Sequence, residues 1–140
     1  MLSDRKMEMA RTPDVSLIRT LTERADSTPD KAYVVDIEGR TLTYAETVSA
    51  AQRWAGAWRR AGVSAGDHVV TMQYNTIESL LGWLGLAWLG AVEAPVNTDY
   101  RSDLLAHALN LTRARVVLVL DRFLDRIAEV ADRLEHLRAI

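Results

Sequence analysis

The feature that most constrains the fold is an alternation of short β-rich apolar runs with longer segments of helical periodicity. The runs at residues 68–72, 91–96 and 115–120 predict strands, and a helical segment follows each of them. The third run is almost continuously apolar, as expected of a parallel strand buried on both faces. Such alternation predicts an α/β fold whose parallel strands are joined by right-handed crossovers.

A helix and a hairpin are predicted to precede these βα units. Apolar residues recur at helical spacing over residues 15–25, with Asp14 as a candidate N-cap and Pro29 beyond the helix end. Two β-rich runs, residues 32–37 and 40–44, flank the dipeptide Glu38-Gly39 and predict a β-hairpin. The predicted fold class is therefore α/β, a parallel sheet of βα units with a leading helix and β-hairpin.

Capping signatures locate two helix starts. Thr43 stands three residues before Glu46, and Asn75 stands three residues before Glu78. In a capping box, side chains at this spacing satisfy the free N–H groups of the first helical turn. The helices predicted in this part of the chain cover residues 44–61, 76–89, 102–110 and 121–138.

The last of these helices is predicted to be amphipathic over its full length. Its inward positions are Leu124, Ile127, Ala131, Leu134 and Leu137. Two ion pairs, Glu129 with Arg133 and Glu135 with Arg138, are predicted on its outer face. The helix either covers the sheet or, over residues 121–140, binds a partner through its apolar stripe; covering the sheet is the favoured interpretation.

Composition limits the class of protein. The 140 residues carry a formal net charge of -2 with both signs interspersed, which gives no support for nucleic-acid binding. The chain has no cysteine, so disulfides and thiolate metal sites are excluded. The uncharged run at residues 80–92 is shorter than the roughly 20 residues a membrane span needs, so it predicts a buried helix. We predict a disordered tail over residues 1–13, an α/β domain over residues 14–140, and a cytoplasmic location.

No catalytic, cofactor-binding or metal-binding residue is predicted. Neither a P-loop nor a dinucleotide-binding glycine motif is present. The glycines at 82, 85 and 90 fall within or at the end of an apolar helix, which favours helix packing over phosphate binding. His68, His107 and His136 lack the spacing of metal ligands. A small flavodoxin-like nucleotide-binding protein would need a phosphate loop, which disfavours that class.

Six motifs in order resemble the opening of adenylate-forming enzymes such as acyl-CoA synthetases. Residues 42–46 are similar to the family's LTYxE motif, and residues 28–32 to its TPDKxA. The other matching segments are residues 61–67, 75–78, 86–97 and 114–117. Each motif alone is weak evidence of the resemblance. Six motifs in the family's order and spacing are strong evidence, because such an arrangement is improbable by chance.

This resemblance implies an N-terminal fragment of an ATP-dependent acid–CoA ligase, which forms an acyl-adenylate and then an acyl-CoA. Residues 14–140 would then be a partial N-terminal α/β domain, an incomplete portion of the adenylate-forming enzyme fold. The complete family enzyme uses ATP, Mg²⁺, CoA and a carboxylic acid substrate, in a setting such as fatty acid metabolism. The family's nucleotide-binding loop, ribose-binding acidic motif and catalytic lysine lie later than Ile140, so no residue here inherits those roles. We therefore expect the chain to be inactive alone, with no cofactor of its own.

Two further expectations concern partners. An open sheet edge or exposed apolar surface would favour self-association of the fragment. The alternative to a ligase fragment is a non-catalytic scaffold or interaction module that uses residues 121–140 to bind a partner.

Overall fold

The computed structural model describes residues 16–140, which form five helices and five strands. The helices are α1 (Leu17–Ser27), α2 (Tyr44–Arg60), α3 (Ile77–Leu89), α4 (Ser102–Thr112) and α5 (Leu124–Val130). The strands are β1 (Ala32–Val35), β2 (Thr41–Thr43), β3 (His68–Met72), β4 (Val92–Pro95) and β5 (Val116–Val119). Single turns of 3₁₀ helix at Asp121–Phe123 and Ala131–Arg133 flank α5.

The strands form two sheets. Strands β1 and β2 make an antiparallel hairpin, and the other three form a parallel sheet in the order β4-β3-β5. The predicted α/β class, with a leading helix and hairpin, is confirmed. The predicted tail at residues 1–13 and the candidate cap Asp14 lie outside the described residues; α1 begins after Ser16, whose side chain makes no capping hydrogen bond.

Strand β3 is buried on both faces, because its alternate side chains meet different helices. Val70 and Met72 pack with residues of α4 and α5, including Leu105 and Ile127. Val69 packs instead with Leu86 of α3 and with a tryptophan of α2. The period of two along a strand thus separates two helical layers with the parallel sheet between them.

Helices α2 and α3 cross at close range. A Cβ atom on Gly85 would lie 2.6 Å from Trp54 Cβ and 2.9 Å from the backbone nitrogen of Ala55, so only glycine fits at this position. The indole Nε1 of Trp58 donates a 2.9 Å hydrogen bond to the carbonyl oxygen of Gly82. The prediction that the helical glycines serve packing is confirmed at these two positions.

One predicted capping pair is confirmed and the other is wrong. Thr43 and Glu46 form the expected capping box at α2. At α3 the box is formed by Thr76 and Ser79, one residue later than the predicted pair. Glu78 is drawn instead into an ion pair with an arginine of the hairpin, a tertiary contact that periodicity does not reveal.

The predicted final helix, residues 121–138, is also wrong beyond its first half. Helix α5 ends at Val130, and Leu134 has extended backbone angles. Further along the chain, the backbone amide of Val117 in β5 donates a 3.1 Å hydrogen bond to the carbonyl oxygen of Ala139. The segment around Ala139 therefore pairs with β5 in parallel. Asn110 of α4 holds the intervening loop, because its side chain donates to a backbone carbonyl and accepts from the Glu135 amide. Pairing with the sheet edge therefore replaces the last helical turns.

The side-chain predictions for this segment change accordingly. Ile127 is buried as predicted, and Leu134 and Leu137 are half-buried against the same core. Leu124, 40% exposed, and the exposed Ala131 do not face inward, and the buried positions are Phe123 and Val130. Both predicted ion pairs are wrong, since Arg133 pairs with Asp103 of α4 and Glu129 accepts a hydrogen bond from Ser102, while Glu135 pairs with His136.

Candidate functional site

The carboxyl ends of the parallel strands form the candidate site, which we call the sheet rim: residues 73–76, 96–101 and 120–123, which follow β3, β4 and β5. The chain leaves β3 for α3 on one face of the sheet, and leaves β4 and β5 for helices on the other face. The segment that follows β3 therefore leaves the sheet on the face opposite to the segments that follow its two neighbouring strands, β4 and β5. Open α/β sheets bind ligands in the crevice at such a topological switch point.

A cleft of about 380 Å³ lies at the rim between α3 and strands β3 and β4. Its polar lining comes from both strands, the rim and the start of α3: Thr71, Gln73, Asn75, Thr76, Ser79 and Glu93. Its apolar lining is Leu80, Trp83, Pro95 and Val96. The cleft is large enough for a small organic molecule and offers it both polar and apolar contacts.

Thr71 and Glu93 are hydrogen bonded within this cleft. Thr71, only 2% exposed, donates its hydroxyl to the Glu93 carboxylate at 2.7 Å. Glu93 is half-buried, and none of the ion pairs among residues 16–140 includes it. Among residues 16–140, this carboxylate in the cleft thus has one hydroxyl partner and no ion pair.

A second cluster on the rim combines aromatic and cationic side chains. Tyr74, 45% exposed, meets Phe123 edge-on with 5.6 Å between ring centroids. Arg122 lies 5.6 Å from both ring centroids, and Arg126 lies 4.5 Å from that of Phe123. Arg126 also donates to the backbone carbonyl of Thr98 after β4. These contacts tie the three rim segments together.

The start of α3 is not arranged as a phosphate cradle. The amide of Ser79 donates to the Thr76 hydroxyl, so the first turn is already capped by its own side chains. Gly82 and Gly85 lie in the helix interior against α2 rather than in the loop before it. A phosphate group is bound by free backbone N–H groups, and this loop supplies no glycine-rich turn to expose them.

Two ion pairs away from the cleft have perturbed carboxylates. The hydrogen bond from the Ser64 backbone amide lowers the pKa of Asp67, burial opposes this effect, and Arg115 lowers the pKa further. A hydrogen bond from Arg40 lowers the pKa of Glu78. Both carboxylates are partnered by arginine and hold neighbouring segments together, so they are structural rather than acid–base candidates.

The three histidines lie on separate elements of the fold. His68 begins β3, His107 lies on α4, and His136 follows α5. Over residues 16–140 no three His, Cys, Asp or Glu side chains are grouped closely enough to hold a metal ion. In the same range no helix combines the length and apolar character that crossing a bilayer requires.

Comparison with known proteins decides the family. Residues 21–140 match the family model described as AMP-binding enzyme. The chain belongs to the AMP-binding enzyme family. It is 36% identical over 98 residues to isopenicillin N epimerase component 1 of Hapsidospora chrysogena, which covers 68% of this chain and 16% of that protein. It is 30% identical over 103 residues to 2-succinylbenzoate–CoA ligase of Oceanobacillus iheyensis, covering 74% of the chain and 22% of that protein.

Solved structures of other proteins share this fold. The inhibitor-bound N-terminal domain of FACL13 from Mycobacterium tuberculosis superposes with a TM-score of 0.80 at 26% identity, covering 89% of this chain and 32% of that one. A fatty acyl CoA synthetase of the same organism gives a TM-score of 0.79 at 26% identity, covering 89% and 26%. The chain spans about a fifth of the length of these two curated relatives and a third or less of these solved chains. The resemblance inferred from the motifs is confirmed.

None of the residues that line the cleft was predicted from the sequence as a site residue. Thr71 and Glu93 lie within apolar runs, and a polar residue inside a buried strand was the one available signal. Trp83 is 38% exposed at the cleft, whereas Trp54 and Trp58 pack together with their ring centroids 5.7 Å apart.

Proposed function

We propose that this chain forms the N-terminal part of an ATP-dependent acid–CoA ligase. The complete enzyme would join a carboxylic acid to AMP as an acyl-adenylate and then transfer the acyl group to CoA. The observation that carries the proposal is the family match over residues 21–140, which takes in almost every described element. The CoA acceptor is supported by relatives that are named as CoA ligases.

Within that enzyme the chain acts as a scaffold and has no ligase activity alone. Its capping boxes, the packed glycines Gly82 and Gly85, and the ion pair of Asp67 with Arg115 hold helices and strands together. The described residues offer neither a glycine-rich phosphate loop nor a cluster of magnesium ligands. We propose that other parts of the enzyme bind ATP, Mg²⁺ and CoA, and that it works in the cytoplasm in fatty acid metabolism.

The alternative role as an interaction module depended on a partner-binding helix at residues 121–140. In the structure Phe123, Ile127 and Val130 are buried against β3 and α4. Because this apolar side is already covered by the chain's own sheet, its burial supports the packing role rather than partner binding.

Isothermal titration of the purified chain with ATP–Mg²⁺ and, separately, with CoA tests the scaffold proposal. We expect no saturable heat from either ligand, since no described segment is built to bind phosphate. A circular dichroism spectrum with helical and strand signals shows that the sample is folded, and an assay for pyrophosphate release should give no turnover with carboxylic acids. Micromolar binding of ATP would contradict the proposal and would direct attention to the sheet rim.

We also propose that the chain by itself self-associates. Strands β4 and β5 are the outer strands of the described parallel sheet, and Val92, Leu104 and Leu111 are large apolar side chains at the surface. Unpaired strand edges and exposed apolar side chains both favour contact with another chain.

A further inference from the structure

Glu93 is a half-buried carboxylate that lines the cleft and belongs to none of the ion pairs among the described residues. Its carboxylate is half-buried between β4 and α3 and accepts a single hydrogen bond, from Thr71, among its described contacts. By contrast, Asp67, Glu78 and Asp103 each pair with an arginine. A partly desolvated negative charge is stabilised by a nearby positive charge, and in the described part of the chain no such charge lies beside Glu93.

The other walls of the cleft restrict which cation would suit it. Trp83 and Leu80 of α3, together with Pro95, supply apolar surface beside the carboxylate. Hard divalent cations take about six oxygen ligands, usually including several carboxylates, whereas this lining contains one. An ammonium group that carries alkyl substituents matches both features, because its charge suits Glu93 and its methyl groups suit an indole face and aliphatic side chains.

We propose that this cleft binds a small alkylated ammonium ion, with Glu93 as counter-charge and Trp83 as the aromatic wall. Gln73 and Asn75 at the mouth of the cleft offer hydrogen bonds to a hydroxyl or carbonyl group carried by the same molecule. The site uses strands β3 and β4 and helix α3 only. It is independent of the proposed ligase function and would remain if that proposal failed.

The test uses choline and its uncharged isostere 3,3-dimethylbutan-1-ol, which has the same shape without the charge. The ¹⁵N-labelled chain is titrated with each compound while the indole N–H signals are followed by NMR, and Trp83→Phe identifies the signal of Trp83. We expect choline to shift that signal saturably and the alcohol to bind about tenfold more weakly. Raising the salt concentration should weaken choline binding, because salt screens the attraction between the half-buried Glu93 carboxylate and the ammonium group of choline.

Two matched variants separate a binding role of Glu93 from a structural one. Glu93→Gln keeps the size of the side chain and an oxygen that accepts the Thr71 hydrogen bond, so the chain should stay folded while choline affinity falls about tenfold. Glu38→Gln removes an exposed carboxylate from the turn between β1 and β2 and should leave choline affinity unchanged. Equal binding of choline and the alcohol, an unaltered affinity in Glu93→Gln, or no shift of the Trp83 signal would each overturn the proposal.

Discussion

At the scale of single residues, Gly85 determines how closely α2 and α3 approach. The position that a Cβ would occupy is already filled by the Trp54 side chain and by the backbone of Ala55. Backbone atoms of a packed helix cannot move away from an added Cβ as easily as the end of a flexible side chain can. The crossing of the two helices therefore depends on the absence of a side chain at this one position.

We predict that Gly85→Ala destabilises the chain by about 1–3 kcal/mol, because overpacking forces α2 and α3 apart. The measurement is the free energy of unfolding in urea. Gly56→Ala is the matched control, since the added Cβ would meet only the end of the Arg60 side chain, at 3.6 Å. An alanine there should be neutral or raise stability by about 0.5–1 kcal/mol through helix propensity. Equal effects of the two substitutions would show that the close contact is not limiting.

At the scale of elements, the start of α3 contains two overlapping pairs of polar residues, and either pair has the spacing of a helix N-terminal capping box. Asn75 with Glu78 and Thr76 with Ser79 have the same spacing, and either pair could cap a helix by its sequence. The structure uses the second pair, in which the Thr76 hydroxyl accepts from the Ser79 amide at 3.1 Å. Glu78 is left to pair with Arg40, which links α3 to the hairpin.

We predict that Thr76→Ala lowers the free energy of unfolding by about 1 kcal/mol, because the first turn of α3 loses its side-chain acceptor. Asn75→Ala should change stability by less than about 0.5 kcal/mol, since Asn75 is exposed and does not cap the helix. Urea unfolding of both variants measures the difference. A larger decrease in the free energy of unfolding for Asn75→Ala than for Thr76→Ala would contradict this prediction and support Asn75 as the capping residue.

At the scale of the whole molecule, the parallel sheet has two layers of helices and outer strands that differ in their surroundings. The edge of β5 is partly occupied by residues 138 and 139, whose amides donate to the carbonyl of Arg115. Among the described strands, β4 pairs only with β3, so its far edge is the more available of the two.

We predict that the isolated chain associates with increasing concentration, and that Val92→Lys on the β4 edge weakens this association at least severalfold. Val92 is 47% exposed, and a lysine on an edge strand opposes pairing with another chain. Sedimentation velocity over a range of concentrations measures the effect, with the surface substitution Gln52→Lys on α2 as the charge-matched control. A chain that remains monomeric at high concentration, or equal behaviour of the two lysine variants, would contradict this use of the edge.

The sequence by itself determined the features that depend on near neighbours along the chain. Alternating runs predicted the parallel strands, Thr43 with Glu46 predicted the start of α2, and Gly90, whose φ is +72°, predicted the end of α3. These signals are readable because periodicity, caps and left-handed glycines act within a few residues. The ordered family motifs added the fold of AMP-binding enzymes.

Tertiary structure alone decided the features that depend on residues distant in sequence. The helical pattern after Val130 was overridden because residues 138 and 139 gain backbone hydrogen bonds from the edge of β5. The cleft likewise arises only when strand pairing and the packing of α3 bring Thr71, Glu93 and Trp83 to one surface. Local propensity is weak beside the free energy of burial and pairing, so where the two conflict the long-range contact determines the structure.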